Sequence, residues 1–88
     1  MTVWLDGRQM QNRAEAHAYL AQMLRFPAWY GKNLDALYDL LTAGIGVAAL
    51  KLIHADAMLA GMDGYGERML RTLREASRSG GPALIVEE

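Results

Sequence analysis

Three short apolar runs, separated by segments with helical periodicity, most constrain the fold of this chain. The runs are residues 2–5 (TVWL), 47–53 (VAALKLI) and 83–87 (ALIVE). Short apolar runs bounded by turn residues are typical of strands, although the alanines of the second run would also suit a helix. Because strands that alternate with helices pair in parallel through right-handed crossovers, we predict an α/β domain with a three-stranded parallel sheet.

The segment between the first two strands predicts two helices. Asn12 is placed to cap the first helix, with Glu15 as its capping-box partner, and Pro27 ends that helix or lies just past it. Asn33 caps the second helix, and Gly44 marks its end. The apolar stripes of these two helices are Ala16, Tyr19, Leu20, Met23 and Leu24, and Leu34, Leu37, Tyr38 and Leu41.

Two further helices are predicted before the last strand, which gives about four in all. Asp56 is a candidate cap for a short helix that stops at Gly61. The segment DGYGE, residues 63–67, is predicted to form a turn. A longer helix then follows from about Tyr65 to Ser77, and its inner stripe consists of Met69, Leu73 and Ala76.

Length and composition predict a single domain that spans residues 1–88. The chain has no cysteine, which excludes a disulfide framework and thiolate chemistry and fits a reducing compartment. The amino-terminal residues lack the pattern of a signal peptide, and no apolar run is long enough to span a membrane. We therefore expect a cytoplasmic protein without a membrane association. The formal net charge of −1 also argues against nucleic acid as the partner.

Two aspartates four residues apart mark the second predicted helix as unusual. Asp35 and Asp39 share one helix face, where like charges repel by about 0.2–0.5 kcal/mol. The helix dipole alone could explain Asp35, but Asp39 lies one turn further in, where aspartate is a poor helix former. Leucines fill the inner stripe, so we expect both carboxylates and Thr42 to face outward beside the loop 29–32. Aromatic residues beside a carboxylate pair are typical of a protein interface.

Other chemistry is poorly supported by the sequence. A catalytic carboxylate pair would need a deep cleft and two unlike environments, which an exposed helix face does not provide. Two aspartates without a third clustered acid are a weak magnesium or calcium signal. We therefore expect no enzyme and no cofactor.

The remaining titratable residues have structural interpretations. His17 and His54 are expected to be packing or surface residues. The pairs Glu67–Arg71 and Arg71–Glu75 predict a solvated ion-pair face on the long helix.

The segment YGKNLDALYDLLT, residues 30–42, closely resembles the barstar family of small intracellular inhibitors of a secreted bacterial ribonuclease. The family pattern is Tyr-Gly-x-Asn-Leu-Asp-Ala-Leu-aromatic-Asp-x-Leu-Thr. Overall length, the order of elements and the late segment LREASRSGG agree as well. The positions that fit are Tyr30, Gly31, Asn33, Leu34, Asp35, Ala36, Leu37, Tyr38, Asp39, Leu41 and Thr42. The resemblance implies a barstar-like sheet with helices.

The resemblance also implies an immunity protein that blocks the active site of a barnase-type ribonuclease, or a related toxin nuclease, in a 1:1 complex. Asp39 would then take the place of a substrate phosphate and Asp35 would support it, while Glu75 would add a flanking ion pair. The implied partner-binding residues are Trp29, Tyr30, Gly31, Asn33, Asp35, Tyr38, Asp39, Thr42 and Glu75.

The chain departs from the best-known member of the family at two positions that bear on partner choice. That member is acidic where Lys32 stands and aromatic where Gly44 stands. The alternative function is a barstar-like regulatory module that binds a partner other than a nuclease.

Overall fold

A computed structural model describes residues 1–87 of the chain. Three strands and four helices follow one another, with a short 3₁₀ turn at Gly7–Gln9 that the sequence pattern does not predict. The strands are β1 (Thr2–Asp6), β2 (Ala49–Ile53) and β3 (Ala83–Val86), and the helices are α1 (Arg13–Leu24), α2 (Leu34–Thr42), α3 (Ala55–Met62) and α4 (Gly64–Arg78).

The three strands form one parallel sheet in the order β1-β2-β3. Trp4 pairs with Lys51, which in turn pairs with Ile85, so these three side chains lie in one row across the sheet. Trp4 and Ile85 are about half exposed, whereas Leu5 and Leu52 on the opposite face are fully buried. The predicted α/β class, with three parallel strands and four helices, is confirmed.

The core lies between the inner face of the sheet and the helices. Each helix contributes at least one side chain that is almost completely buried, because the apolar residues repeat at helical spacing. These residues are Leu20 and Leu24 of α1, Leu37 and Leu41 of α2, Met58 of α3, and Met69 and Leu73 of α4. Within residues 1–87, no helix is both long enough and apolar enough to cross a membrane.

The predicted caps of α1 and α2 are confirmed. The Asn12 side chain accepts a hydrogen bond from the Glu15 amide at 2.8 Å, and the Glu15 carboxylate accepts one from the Gln11 amide. Asn33 likewise accepts from the Ala36 amide at 2.7 Å. Each asparagine cap satisfies a backbone N–H of the first helical turn that has no partner within the helix.

The predicted start of α3 is wrong. The helix begins at Ala55 with His54 in the cap position, in left-handed conformation (φ 54°), so Asp56 lies inside the first turn and does not cap it. The strand before it, β2, begins at Ala49, two residues later than predicted.

The predicted turn at residues 63–67 is also wrong, because α4 begins at Gly64. Gly66 is buried where α4 meets α3, and a Cβ atom there would lie 3.0 Å from the Met58 carbonyl oxygen. Close packing of the two helices therefore overrides the low helix propensity of glycine.

Two side-chain predictions on the helices need correction. Met23 is 38% exposed, so it does not belong to the inner stripe of α1, whereas His17 is buried. On α4, the carboxylate oxygens of Glu67 and Glu75 do not come within 4 Å of the side-chain nitrogens of Arg71, so the predicted ion pairs are not formed.

Candidate functional site

Hydrogen bonds shape the loop before α2, residues 27–33, and connect it to the first turn of the helix. The Tyr30 amide donates to the Pro27 carbonyl at 3.0 Å, which closes a turn. Lys32 adopts a left-handed conformation with φ 54°. Asn33 then caps α2 with its side-chain oxygen, and its side-chain nitrogen donates to the Gly31 carbonyl at 3.4 Å. Asn33 therefore couples the loop to the first turn of α2.

Asp35 and Asp39 form an acidic strip on the exposed face of α2. Both residues are exposed, while Leu37 and Leu41 bury the opposite face and fix the rotation of the helix. No Lys, Arg or His nitrogen of residues 1–87 lies within 4 Å of either carboxylate. Trp29 in the preceding loop is 77% exposed. The prediction that these carboxylates face outward is confirmed, and the loop that precedes their helix exposes an aromatic side chain.

Tyr30 does not share this exposure, although it was expected among the partner contacts. Its side chain is only 6% exposed, and its ring packs against Phe26 with centroids 4.8 Å apart. Burial raises the pKa of the Tyr30 hydroxyl well above its usual value. The Tyr30 side chain therefore supports the loop from the interior. Of the neighbours Trp29 and Tyr30, only Trp29 presents its side chain to solvent.

His17 connects this loop to α4. Its Nδ1 atom lies 2.7 Å from the Tyr30 hydroxyl, and its Nε2 atom lies 2.6 Å from the Tyr65 hydroxyl. Burial lowers the pKa of His17, and the charges of Arg13 and Lys32 lower it further. The expected packing role of His17 is therefore confirmed, and the ring bridges two tyrosines from different segments.

The remaining expected contact residues lie on α2 and on the adjacent end of α4. Tyr38 is partly buried, and its hydroxyl donates to Ser79 Oγ at 2.9 Å. The exposed Glu75 lies one turn before Ser79, whose amide donates to the Glu75 carbonyl. The structure therefore connects the Glu75 end of α4 to α2.

Thr42 departs from the expected outward-facing strip. It is half-buried, and its hydroxyl donates to the Tyr38 carbonyl at 2.9 Å. That internal bond occupies the hydroxyl proton. Thr42 is therefore less available for contact with a partner protein than Asp35 and Asp39 are.

A second polar feature, which sequence reasoning missed, borders Asp35. The guanidinium carbons of Arg13 and Arg68 lie 4.6 and 5.2 Å from the centroid of the Tyr65 ring. We call this feature the arginine cleft; its volume is about 340 Å³ and it is lined by Arg13, Asn33, Leu34, Asp35, Tyr65 and Arg68. No sequence signal predicts it, because Arg13 and Arg68 meet only in the folded structure.

The described residues offer no metal centre. Within residues 1–87, no three histidine or acidic side chains are grouped so that they could hold a metal ion. The chemistry of the site therefore consists of exposed carboxylates, exposed aromatic surface and the two arginines of the cleft.

Comparisons with known proteins agree with this architecture. A family model described as "Barstar (barnase inhibitor)" matches residues 1–86. A protein of Bacillus subtilis (strain 168), named "Putative ribonuclease inhibitor YrdF", is 34% identical over 73 residues, which are 82% of this chain and 80% of that relative. Because the family model covers nearly the whole chain, this protein belongs to the barstar family.

Proposed function

We propose that this protein inhibits a bacterial ribonuclease of the barnase type, or a related toxin nuclease, by occupying its active site. The complex contains one copy of each protein and forms in the cytoplasm, where the inhibitor protects the cell. The inhibitor itself catalyses no reaction and holds no cofactor. Family membership and the name of the Bacillus subtilis relative, a ribonuclease inhibitor, support the class of partner.

One observation carries the proposal: within residues 1–87, no Lys, Arg or His nitrogen lies within 4 Å of the exposed carboxylates of Asp35 and Asp39, and the loop just before their helix presents Trp29, which is 77% exposed. Their mutual repulsion costs about 0.2–0.5 kcal/mol in the free protein. A nuclease active site must hold cationic groups to bind the phosphates of RNA. Those groups would relieve the repulsion when α2 enters the site. Complementary charge also speeds association.

Asp39 takes the place of a substrate phosphate in this complex, and Asp35 supports it one turn earlier. Trp29, Gly31 and Tyr38 pack against the enzyme around the carboxylates, and Glu75 adds an ion pair at the flank. Gly31 allows close approach, since it is exposed and has no side chain. Tyr30 and Asn33 act through the loop, which they hold in shape from within.

An inhibition titration tests this function. Barnase, the ribonuclease in the family's description, is mixed with increasing amounts of this protein, and cleavage of a fluorogenic RNA substrate is followed. We expect activity to fall to zero at one equivalent of inhibitor. Undiminished cleavage by barnase and by any nuclease encoded beside this gene, at a large excess of inhibitor, would favour the regulatory module instead.

A further inference from the structure

Two positive charges in the arginine cleft have no acidic partner in the described chain. Arg13 and Arg68 are exposed, and neither lies within 4 Å of a carboxylate oxygen of residues 1–87. Asp35 lines the same cleft without forming an ion pair with either arginine. The two guanidinium groups therefore keep their donors free for a ligand.

Both arginines of the cleft lie close to the Tyr65 ring. Both guanidinium groups lie within about 6 Å of the ring centroid, the range in which a cation is attracted to an aromatic ring. The hydroxyl of Tyr65 is hydrogen-bonded to Nε2 of His17, which is only 1% exposed. Because a buried residue anchors the ring, the aromatic wall of the cleft is in place before any ligand arrives.

We propose that the arginine cleft receives a carboxylate side chain from the rim of the nuclease active site. This inference rests on the proposed function, because Asp35 belongs to both the cleft and the acidic strip. The planar guanidinium fork matches a carboxylate in a bidentate arrangement, and the cleft of about 340 Å³ has room for an aspartate or glutamate side chain.

A protein carboxylate fits this cleft better than an RNA phosphate does. A polyanion would bring several negative charges against Asp35 in the cleft and Asp39 one turn away, and it carries no cation of its own to offset their repulsion. A nuclease rim that carries cations beside one acid would instead match both charges. Such reciprocal pairs fix the orientation of a complex and reject partners that lack the acid.

The first test measures binding to barnase by isothermal titration calorimetry. The variant Arg13→Gln/Arg68→Gln is compared with Arg74→Gln/Arg78→Gln, which removes the same charge from exposed arginines that line a different hollow. Removing positive charge should favour a basic nuclease, so the control should bind as tightly as the parent or more tightly. We expect the cleft variant to bind about tenfold more weakly or worse, since a charge-assisted contact is lost. Equal or tighter binding by the cleft variant would overturn the inference.

The second test uses the protein alone, so its failure is distinct from failure of the proposed function. Sodium acetate replaces sodium chloride stepwise at constant ionic strength. The NMR resonances of the Arg13 and Arg68 side chains are followed in the parent and in the control variant Arg74→Gln/Arg78→Gln. We expect saturable shifts with acetate that chloride does not produce. Equal shifts with both salts would overturn the carboxylate site while leaving nuclease inhibition intact.

The same samples decide between a protein carboxylate and nucleic acid. A short RNA oligonucleotide should leave the guanidinium resonances unchanged. Tight RNA binding that Arg13→Gln/Arg68→Gln abolishes would overturn a protein carboxylate as the occupant. If acetate binds the cleft but the parent inhibits neither barnase nor any nuclease encoded beside its gene, a nuclease is overturned as the source of the carboxylate.

Discussion

The Nδ1 atom of His17 lies 2.7 Å from the hydroxyl oxygen of Tyr30, and this bond fixes the base of the loop that presents Trp29. The other ring nitrogen of His17 is hydrogen-bonded to the hydroxyl of Tyr65, and the two arginines of the cleft lie against the Tyr65 ring. One buried side chain therefore supports both the loop before α2 and the cleft beside it. The two surfaces should respond together when His17 is changed.

The neutral form of His17 should make folding sensitive to mild acid. Its pKa in the folded protein lies below the ordinary value of 6.5, so the unfolded chain binds a proton first as the pH falls. The contribution of His17 to stability is therefore complete above about pH 6.5. It declines as the pH falls from that value to the lower pKa of His17 in the folded protein. We expect a lower free energy of unfolding at pH 5.5 than at pH 7.5 by urea titration.

His17→Leu is the variant that isolates this effect. It should lower the free energy of unfolding by about 2 kcal/mol or more at pH 7.5, since the buried hydroxyl of Tyr30 and the part-buried hydroxyl of Tyr65 lose their partner. Its stability should also change less between pH 7.5 and 5.5 than that of the parent. Asp6, whose pKa is lowered by the hydrogen bond from Arg8, titrates below this window. An unchanged pH dependence in the variant would show that another group is responsible.

Trp29 and Tyr30 are neighbours in sequence with opposite roles, and their variants should separate binding from folding. Tyr30→Phe removes the hydroxyl that bonds His17, so it should destabilise the protein by about 1–3 kcal/mol. Trp29→Ala should change the free energy of unfolding by less than about 0.5 kcal/mol, as is usual for an exposed residue. Only Trp29→Ala should weaken nuclease binding of the folded protein strongly. The reverse pattern in urea unfolding and calorimetry would refute the assignment.

Asn33 should act mainly through its cap. Asn33→Ala removes the bond to the Ala36 amide and should cost about 1 kcal/mol of stability. Asn33→Asp offers the same acceptor and is the matched control, so its unfolding should resemble that of the parent. Thermal denaturation measures both variants, and an alanine variant as stable as the parent would contradict the importance of this cap.

Charge steering predicts that the association rate depends on salt. The acidic strip is exposed, so screening by salt, over roughly 10 Å at 0.1 M, should slow association with a basic ribonuclease. The dissociation rate should respond less. Lys32→Glu should raise the association rate at low salt above that of Lys32→Gln, which only removes the charge. Stopped-flow fluorescence gives these rates, and a rate independent of salt would exclude steering by these carboxylates.

Local signals predict much of this fold from the sequence. Asn12 and Asn33 satisfy amides three residues ahead of them, so both caps depend only on nearby sequence. The three strands are short apolar runs between helices, and parallel pairing follows from that order. The outward position of Asp39 likewise follows from the leucines on the other face of α2.

The features that the sequence did not predict depend on distant contacts. Gly66 lies in a helix because α3 approaches it closely, which local propensity cannot show. Tyr30 is buried against Phe26 and forms a hydrogen bond with His17, which lies thirteen residues earlier in the sequence. The arginine cleft requires Arg13 and Arg68 to meet at Tyr65, from the starts of two helices far apart in the chain.

Asp39 offers the most direct test of phosphate mimicry. Asp39→Ala would leave the cations of the nuclease active site buried without a partner, which should cost about 2–5 kcal/mol of binding or more. In the free protein the same change removes a like-charge neighbour of Asp35 and introduces a better helix former. Stability should therefore stay level or rise by up to about 1 kcal/mol.

The decisive measurement is calorimetric titration of Asp39→Ala against barnase, beside thermal unfolding of the free variant. Asp56→Ala, which changes an exposed aspartate in the first turn of α3, is the matched control. We expect Asp39→Ala to lose at least about thirtyfold in affinity, the equivalent of 2 kcal/mol, while it unfolds at or above the parent's temperature. The control should bind like the parent. Binding by Asp39→Ala as tight as that of the parent, or loss of its folded structure, would contradict the role of Asp39 as a phosphate mimic.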